Sequence, residues 1–194
     1  MISTASQNKW SSLMTTSSNQ LISVLHADGP AAERTEKLQL YGRFIGDWET
    51  KILAHAPDGT QHEGFGEIHF GWILEGRAIQ DVWMIPRQAE RPTAPSFPIA
   101  GNWFGTTIRV YDPTIDAWRI YWIDPARSSF CQQIGRPCGQ DIVQEGKTEQ
   151  GALSRWSFTK ITPNSFHWLG EQSTGGNDSW RLVVEVFAQR TGQP

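Results

Sequence analysis

The chain has 194 residues, long enough for one domain with a packed core and no disulfide staples. Hydrophobic residues make up 38% and glycine adds 18 positions, which excludes a disordered chain. Lys and Arg number 17 against 20 Asp and Glu, and the resulting charge of −3 offers nothing to nucleic acid or an acidic membrane.

Residues 1–27 are rich in Ser and Thr, yet Trp10, Leu13, Met14, Leu21, Val24 and Leu25 recur at helical spacing. The segment reads as a tail or a weak amphipathic helix, separate from a barrel domain over 28–194. Lys9 has no apolar stretch behind it, so no secretory signal is visible. The longest apolar run, Phe70 to Leu74, is far below the roughly 20 residues of a membrane span. Cys131 and Cys138 match no disulfide or metal spacing and read as reduced thiols. A cytoplasmic protein is expected.

Asp28-Gly29-Pro30 predicts the start of a helix, with Asp28 as cap and Pro30 in the first turn. Leu38, Leu40, Tyr41, Phe44 and Ile45 supply its apolar face, and Gly46 its stop. Beyond Gly46, short alternating or aromatic runs are separated by turn signals such as Asp58-Gly59, Glu75-Gly76 and Asp112-Pro113. Strands are predicted near 47–55, 61–74, 77–86, 103–111, 117–123, 128–134, 139–145, 152–161, 165–172 and 179–190. An all-β, antiparallel up-and-down barrel of nine or ten strands with an N-terminal helical extension follows. Residues 87–102, with three prolines, read as a long loop over a barrel mouth. Gly66 and Gly71 read as strand bends or bulges.

Hairpin register assigns faces. A two-residue turn at Glu75-Gly76 sets Leu74 against Arg77, Trp72 against Ile79, Phe70 against Asp81 and Ile68 against Trp83. Asp81 then lies in an apolar stripe and needs a partner. Pairing Tyr111 with Trp118 sets Arg109 against Ile120 and Thr107 against Trp122, so Arg109, on an aromatic face, is the natural partner. Pairing Thr162 with Ser165 sets Lys160 against His167 and Phe158 against Leu169. Pairing Glu171 with Trp180 adds Leu182, Val184 and Val186, with Trp156, to the face of His167. His69 and Glu185 fall on the outer face, but both faces carry aromatics, so either His69 or His167 is the interior one. His62 and His69 are odd-spaced, which argues against a joint metal site.

Gly46-Asp47-Trp48 after a short helix resembles the Gly-x-Trp opening of lipocalin-like (calycin) barrels, whose Trp plugs one end. The resemblance implies a basic residue across that Trp, here Arg190 or Arg181. The segments Phe44 to Trp48, His69 to Arg77, Asp81 to Trp83, Gly105 to Asp112 and Trp180 to Arg190 are similar to a bacterial family of lipocalin-like domains of unknown function, over residues 40–190. A related branch, the nitrobindin-like barrels, binds haem through a His near the C-terminal strands. Here Glu49, Thr50 and Lys51 depart from the alternate glycines of that branch, and no His follows His167, so no cofactor is expected, and a haem-binding barrel stands only as a second alternative.

Ten tryptophans suit a pocket for a flat or apolar ligand. The leading expectation is binding of a small hydrophobic or aromatic molecule in the barrel, lined by Trp72, Trp83, Trp103 and Trp122, with Phe70, Tyr111 and His69 as further contacts. Arg127, Arg136, Arg155 and Arg181 are spread over the strands, and one near a mouth suits a ligand carboxylate. The alternative is a cofactor-free isomerase, cyclase or lyase. Asp81 or His167 would be its general acid or base, and Arg109 would stabilise developing negative charge. A third expectation is an assembly role, such as a homodimer, through residues 10–25 and the long loop. No phosphate-binding glycine loop, Gly-x-Ser-x-Gly or His-Glu-x-x-His occurs.

Overall fold

The computed structural model describes residues 19–91, 93, 102–148, 151–175 and 179–192. The expectations for residues 1–18 and for most of the Pro-rich loop, 92 and 94–101, lie outside these. Helix α1 (Gln20–Leu25) and a short strand β1 (His26–Ala27) lead through a 3-10 turn (Ala32–Arg34) into α2 (Thr35–Gly42). Then come β2 (Gly46–His55), β3 (Gln61–Ile73), β4 (Ala78–Ile85), β5 (Trp103–Asp112) and β6 (Ala117–Asp124). The chain ends with β7 (Ser129–Cys138), β8 (Asp141–Lys147), β9 (Leu153–Thr159), β10 (Ser165–Ser173) and β11 (Trp180–Thr191).

From β2 to β11 each strand pairs antiparallel with the next, and β11 pairs back onto β2. The ten strands therefore close into a barrel and leave no long open edge. Their alternation places one face inside: along β5, Trp103, Gly105, Thr107, Arg109 and Tyr111 are buried and their neighbours less so. Because β2 starts at Gly46 opposite Phe70, the end of β3 would be bare on one side. β1 covers it, with His26 opposite Ile73 and Ala27 opposite Trp72.

One end is plugged. Leu38, Tyr41 and Phe44, from α2 and the turn after it, are fully buried with Trp48 and Phe158. Trp48 Nε1 donates to the Phe44 carbonyl at 2.8 Å. The Arg190 guanidinium lies 4.1 Å over the Trp48 ring. It donates to the carbonyls of Ile45 at 2.6 Å, Arg43 at 2.9 Å and Pro163 at 2.9 Å. Arg190, not Arg181, is thus the residue across the plug. Gly46 has φ +118, and a Cβ there would meet Arg190 Nη1 at 2.7 Å, so glycine serves both backbone and packing.

The helix differs from expectation. α2 starts at Thr35, because residues before it pack on the β3–β4 turn: the Ala31 N–H donates to the Gly76 carbonyl at 3.1 Å. Asp28 faces His26 at 3.2 Å instead of capping. The helix ends at Gly42, and Gly46 opens β2 rather than stopping α2.

Two registers are as expected: Trp72–Ile79, Phe70–Asp81 and Ile68–Trp83 pair, as do Tyr111–Trp118, Arg109–Ile120 and Thr107–Trp122. The β3–β4 turn itself spans Leu74 to Arg77, and its longer path leaves the register unchanged. The third differs. His167 pairs with Thr159, and Phe158 with Trp168, one residue away from the expected pairing. Lys160 adopts φ +49 and absorbs one extra residue between the Thr162–Ser165 turn and the ladder. On the other side His167 pairs with Phe187, after a shift between Gly170 and Glu171. The slip turns His167 and Leu169 off the inner face and Trp168 onto it. Gly66 and Gly71 lie in regular ladders rather than bulges.

Candidate functional site

Opposite the plug, the barrel holds a cavity of about 420 Å³. Five tryptophans wall it: Trp83 on β4, Trp103 on β5, Trp122 on β6, Trp156 on β9 and Trp168 on β10. Their rings pack edge to face or tilted, with centroids 5.3 Å apart for Trp83–Trp168, 5.7 Å for Trp156–Trp168 and 6.3 Å for Trp83–Trp103. Such tilted packing fixes each indole and leaves its remaining surface for a ligand. Thr107, Ser154 and Cys131 interrupt the aromatic wall. Burial pushes the Cys131 thiol pKa up, which keeps it protonated.

Beneath the cavity lies a polar floor. Arg109, which borders the cavity, is ion-paired with Asp81, and both are almost wholly buried. Asp81 Oδ1 also accepts the Thr107 N–H at 3.2 Å. Arg109 Nε donates to Gln144 Oε1 at 3.5 Å, and the Tyr41 hydroxyl donates to the same oxygen at 3.0 Å. The guanidinium stands over the rings of Tyr41, Phe70 and Phe158 at 5.1 to 5.7 Å. Burial lowers the Arg109 pKa to about 10 and pushes the Tyr41 hydroxyl well above its ordinary value. At neutral pH the floor therefore holds a charged guanidinium and a neutral, donating phenol.

The other residues singled out from sequence lie elsewhere. Phe70 points inward but into the plug, 5.7 Å from Phe44. Trp72 packs its ring against Gly42 of α2. Tyr111 hydrogen-bonds Asp116 and packs on Trp118. None of the three borders the cavity. His69 is on the outer face, its Nδ1 2.6 Å from Asp47 Oδ1. His167 is also on the outer wall, stacked on Phe187 at 4.2 Å. Its Nε2 lies 2.8 Å from Glu185 Oε2, whose other oxygen is 2.9 Å from His55 Nε2. Neither histidine is the interior one: the slip at Lys160 and the shift at Gly170 reverse the parity of β10.

Two walls of the cavity were not singled out from sequence. Trp168 is concealed by the same slip, and Trp156, placed on the correct face, carried no distinguishing signal beside nine other tryptophans. The rim residue Arg127 lies in the β6–β7 turn, its guanidinium 5.8 Å from the Trp103 ring centroid. Arg155 is paired with Glu145, and Arg181 donates to the His55 carbonyl. Among the described residues no group of three His, Cys, Asp or Glu is placed to hold a metal. Among them, too, no helix is long and apolar enough to cross a membrane.

No family model matches the chain, and a search of curated proteins gives no match. Solved structures do match. The S-type phycobiliprotein lyase CPES from Guillardia theta is similar with a TM-score of 0.54 at 10% identity, covering 85% of this chain and 100% of that one. Rv2717c from M. tuberculosis is similar with a TM-score of 0.55 at 12% identity, covering 81% of this chain and 98% of that one. With ten antiparallel strands closed on themselves and Trp48 plugging one end under Arg190, the chain shares the barrel fold of these two structures over most of its length.

Proposed function

We propose that this protein binds a small hydrophobic or aromatic molecule inside the barrel. The observation that carries the reading is the cavity of about 420 Å³ walled by five indoles. That volume falls within the roughly 300–1,000 Å³ of small-molecule sites, and the indoles give the wall its apolar surface among polar residues such as Thr107, Arg109, Arg127 and Ser154. The barrel shared with a protein named a phycobiliprotein lyase is consistent with it at the level of fold. All five histidines are among the described residues and none borders the cavity, which supports a ligand held without an axial histidine.

The proton-transfer alternative gains less support. Asp81 is sealed behind Arg109, and His167 is outside, so neither expected acid–base group reaches the cavity. A general acid or base must come within hydrogen-bond reach of its substrate.

Titration with the neutral fluorophore N-phenyl-1-naphthylamine tests the reading. Saturable binding should quench tryptophan emission, and Trp122→Ala, with its far-ultraviolet circular dichroism intact, should weaken binding about tenfold, equivalent to about 1.4 kcal/mol. Absence of binding by the wild type, or an unchanged affinity in Trp122→Ala, overturns it.

A further inference from the structure

The cavity wall contains donors that the protein does not use. Trp83 Nε1 and Trp103 Nε1 are buried away from water and have no hydrogen-bond partner, and their rings are neighbours in the wall. The buried hydroxyl of Thr148, also in the wall, has no partner either. Beside them stands Arg127. Its guanidinium packs on Trp103 and has no carboxylate within 4 Å among the described residues. Arg127 is exposed at the rim, within reach of both the cavity and water.

The acceptors in this region do not offset that pattern. Asp124 is fully buried and spends Oδ1 on the N–H groups of Ala126 and Arg127; its other oxygen has no partner, but the residue does not border the cavity. Asp81 is taken up by Arg109 and Thr107. Glu171 is the one carboxylate that borders the cavity among the described residues. It lies on β10, separated from the β6–β7 turn by three strands of the barrel, and is partly exposed, so water can solvate it.

We infer that the ligand is an aromatic molecule carrying one acidic oxygen group, a carboxylate or a sulfonate, held on the Arg127 side of the cavity. This rests on the cavity reading above and adds the charge and the orientation of the ligand. The five indoles supply stacking surface for the ring. Arg127 supplies a charge-assisted pair to the acid group.

A matched pair of probes tests this on the full chain. 1-Anilinonaphthalene-8-sulfonate and N-phenyl-1-naphthylamine share one aromatic skeleton and differ by the sulfonate. Both should bind the wild type, and the neutral probe should displace the anionic one. Arg127→Gln should weaken the sulfonate probe about tenfold and leave the neutral probe within about twofold, and Arg127→Lys should restore part of the loss. Raising the salt concentration should weaken the sulfonate probe alone. The inference is overturned, with the cavity reading intact, if the neutral probe binds and the sulfonate does not, or if Arg127→Gln changes both affinities by one factor. It is overturned likewise if the neutral probe fails to displace the anionic one. If neither probe binds, both the inference and the cavity reading fail.

Discussion

Removing either charge of the Asp81–Arg109 pair strands the other in a wall that water does not reach. Breaking such a pair costs about 3–5 kcal/mol, whereas replacing both members with apolar residues is often close to neutral. Arg109→Met should therefore lower the urea midpoint strongly, and Asp81→Leu/Arg109→Met should recover most of the loss. Additive losses in the double variant would show that the two side chains do not couple. A second residue sets acid sensitivity. Asp112 accepts hydrogen bonds from the Thr114 hydroxyl and N–H and from Arg119 Nε at 2.7 Å. These hold its carboxyl at about 2, below the ordinary 3.8. The folded state ionises it more readily, so the stabilisation is complete above about pH 4 and fades as pH falls through about 2. Asp112→Asn should flatten the fall of stability over that window, read by denaturation at stepped pH. An unchanged slope would show that other carboxylates carry it. At this scale the sequence already exposed Asp81 and Arg109, because a charge in an apolar stripe demands a partner, and both lie in hairpins with short turns.

Within an element, spacing decides what a strand tolerates. A Cβ on Gly66 would meet the Met84 carbonyl oxygen at 2.2 Å, a backbone atom that cannot turn aside. A Cβ on Gly71, five residues along β3, would meet nothing within 4 Å. Gly66→Ala should cost about 1–3 kcal/mol through forced backbone movement. Gly71→Ala should be neutral or stabilise by up to about 1 kcal/mol, since alanine reduces the freedom of the unfolded chain. Thermal denaturation of the two variants reads the contrast, and equal effects would refute the close-approach account. All ten barrel strands were legible to within about three residues, except that β7 runs on to Cys138. The register of β10 was not. A single positive-φ residue, Lys160, and one shift at Gly170 moved every side chain of that strand, and with it Trp168, to the opposite face.

Across the molecule, every described residue bordering the cavity lies between Trp83 and Val184. Residues 19–27 contribute instead α1 and the two-residue β1 on the free end of β3. A chain beginning at Asp28 should keep the barrel and bind N-phenyl-1-naphthylamine within about twofold of the full chain. It should lose about 1–2 kcal/mol of stability with the backbone hydrogen bonds of β1. Lost binding would show that the first 27 residues belong to the site. The closed end was readable from the sequence because Gly46, Trp48 and the residues before them are adjacent in the chain. The open end was not, because its wall draws on β4, β5, β6, β9 and β10 together.

By itself the sequence determined the all-β class, a count of nine or ten strands, two hairpin registers and the place of Asp81 and Arg109 on apolar faces. Each of these is a local matter: period-two alternation and short turns carry parity from one strand to the next. Only the tertiary structure decided that His69 and His167 face outward, that Trp156 and Trp168 complete an aromatic wall, and that Arg127 stands beside it on Trp103. Those outcomes depend on closing ten strands through turns of unequal length. One backbone residue in a left-handed conformation is then enough to exchange the inside of a strand for its outside.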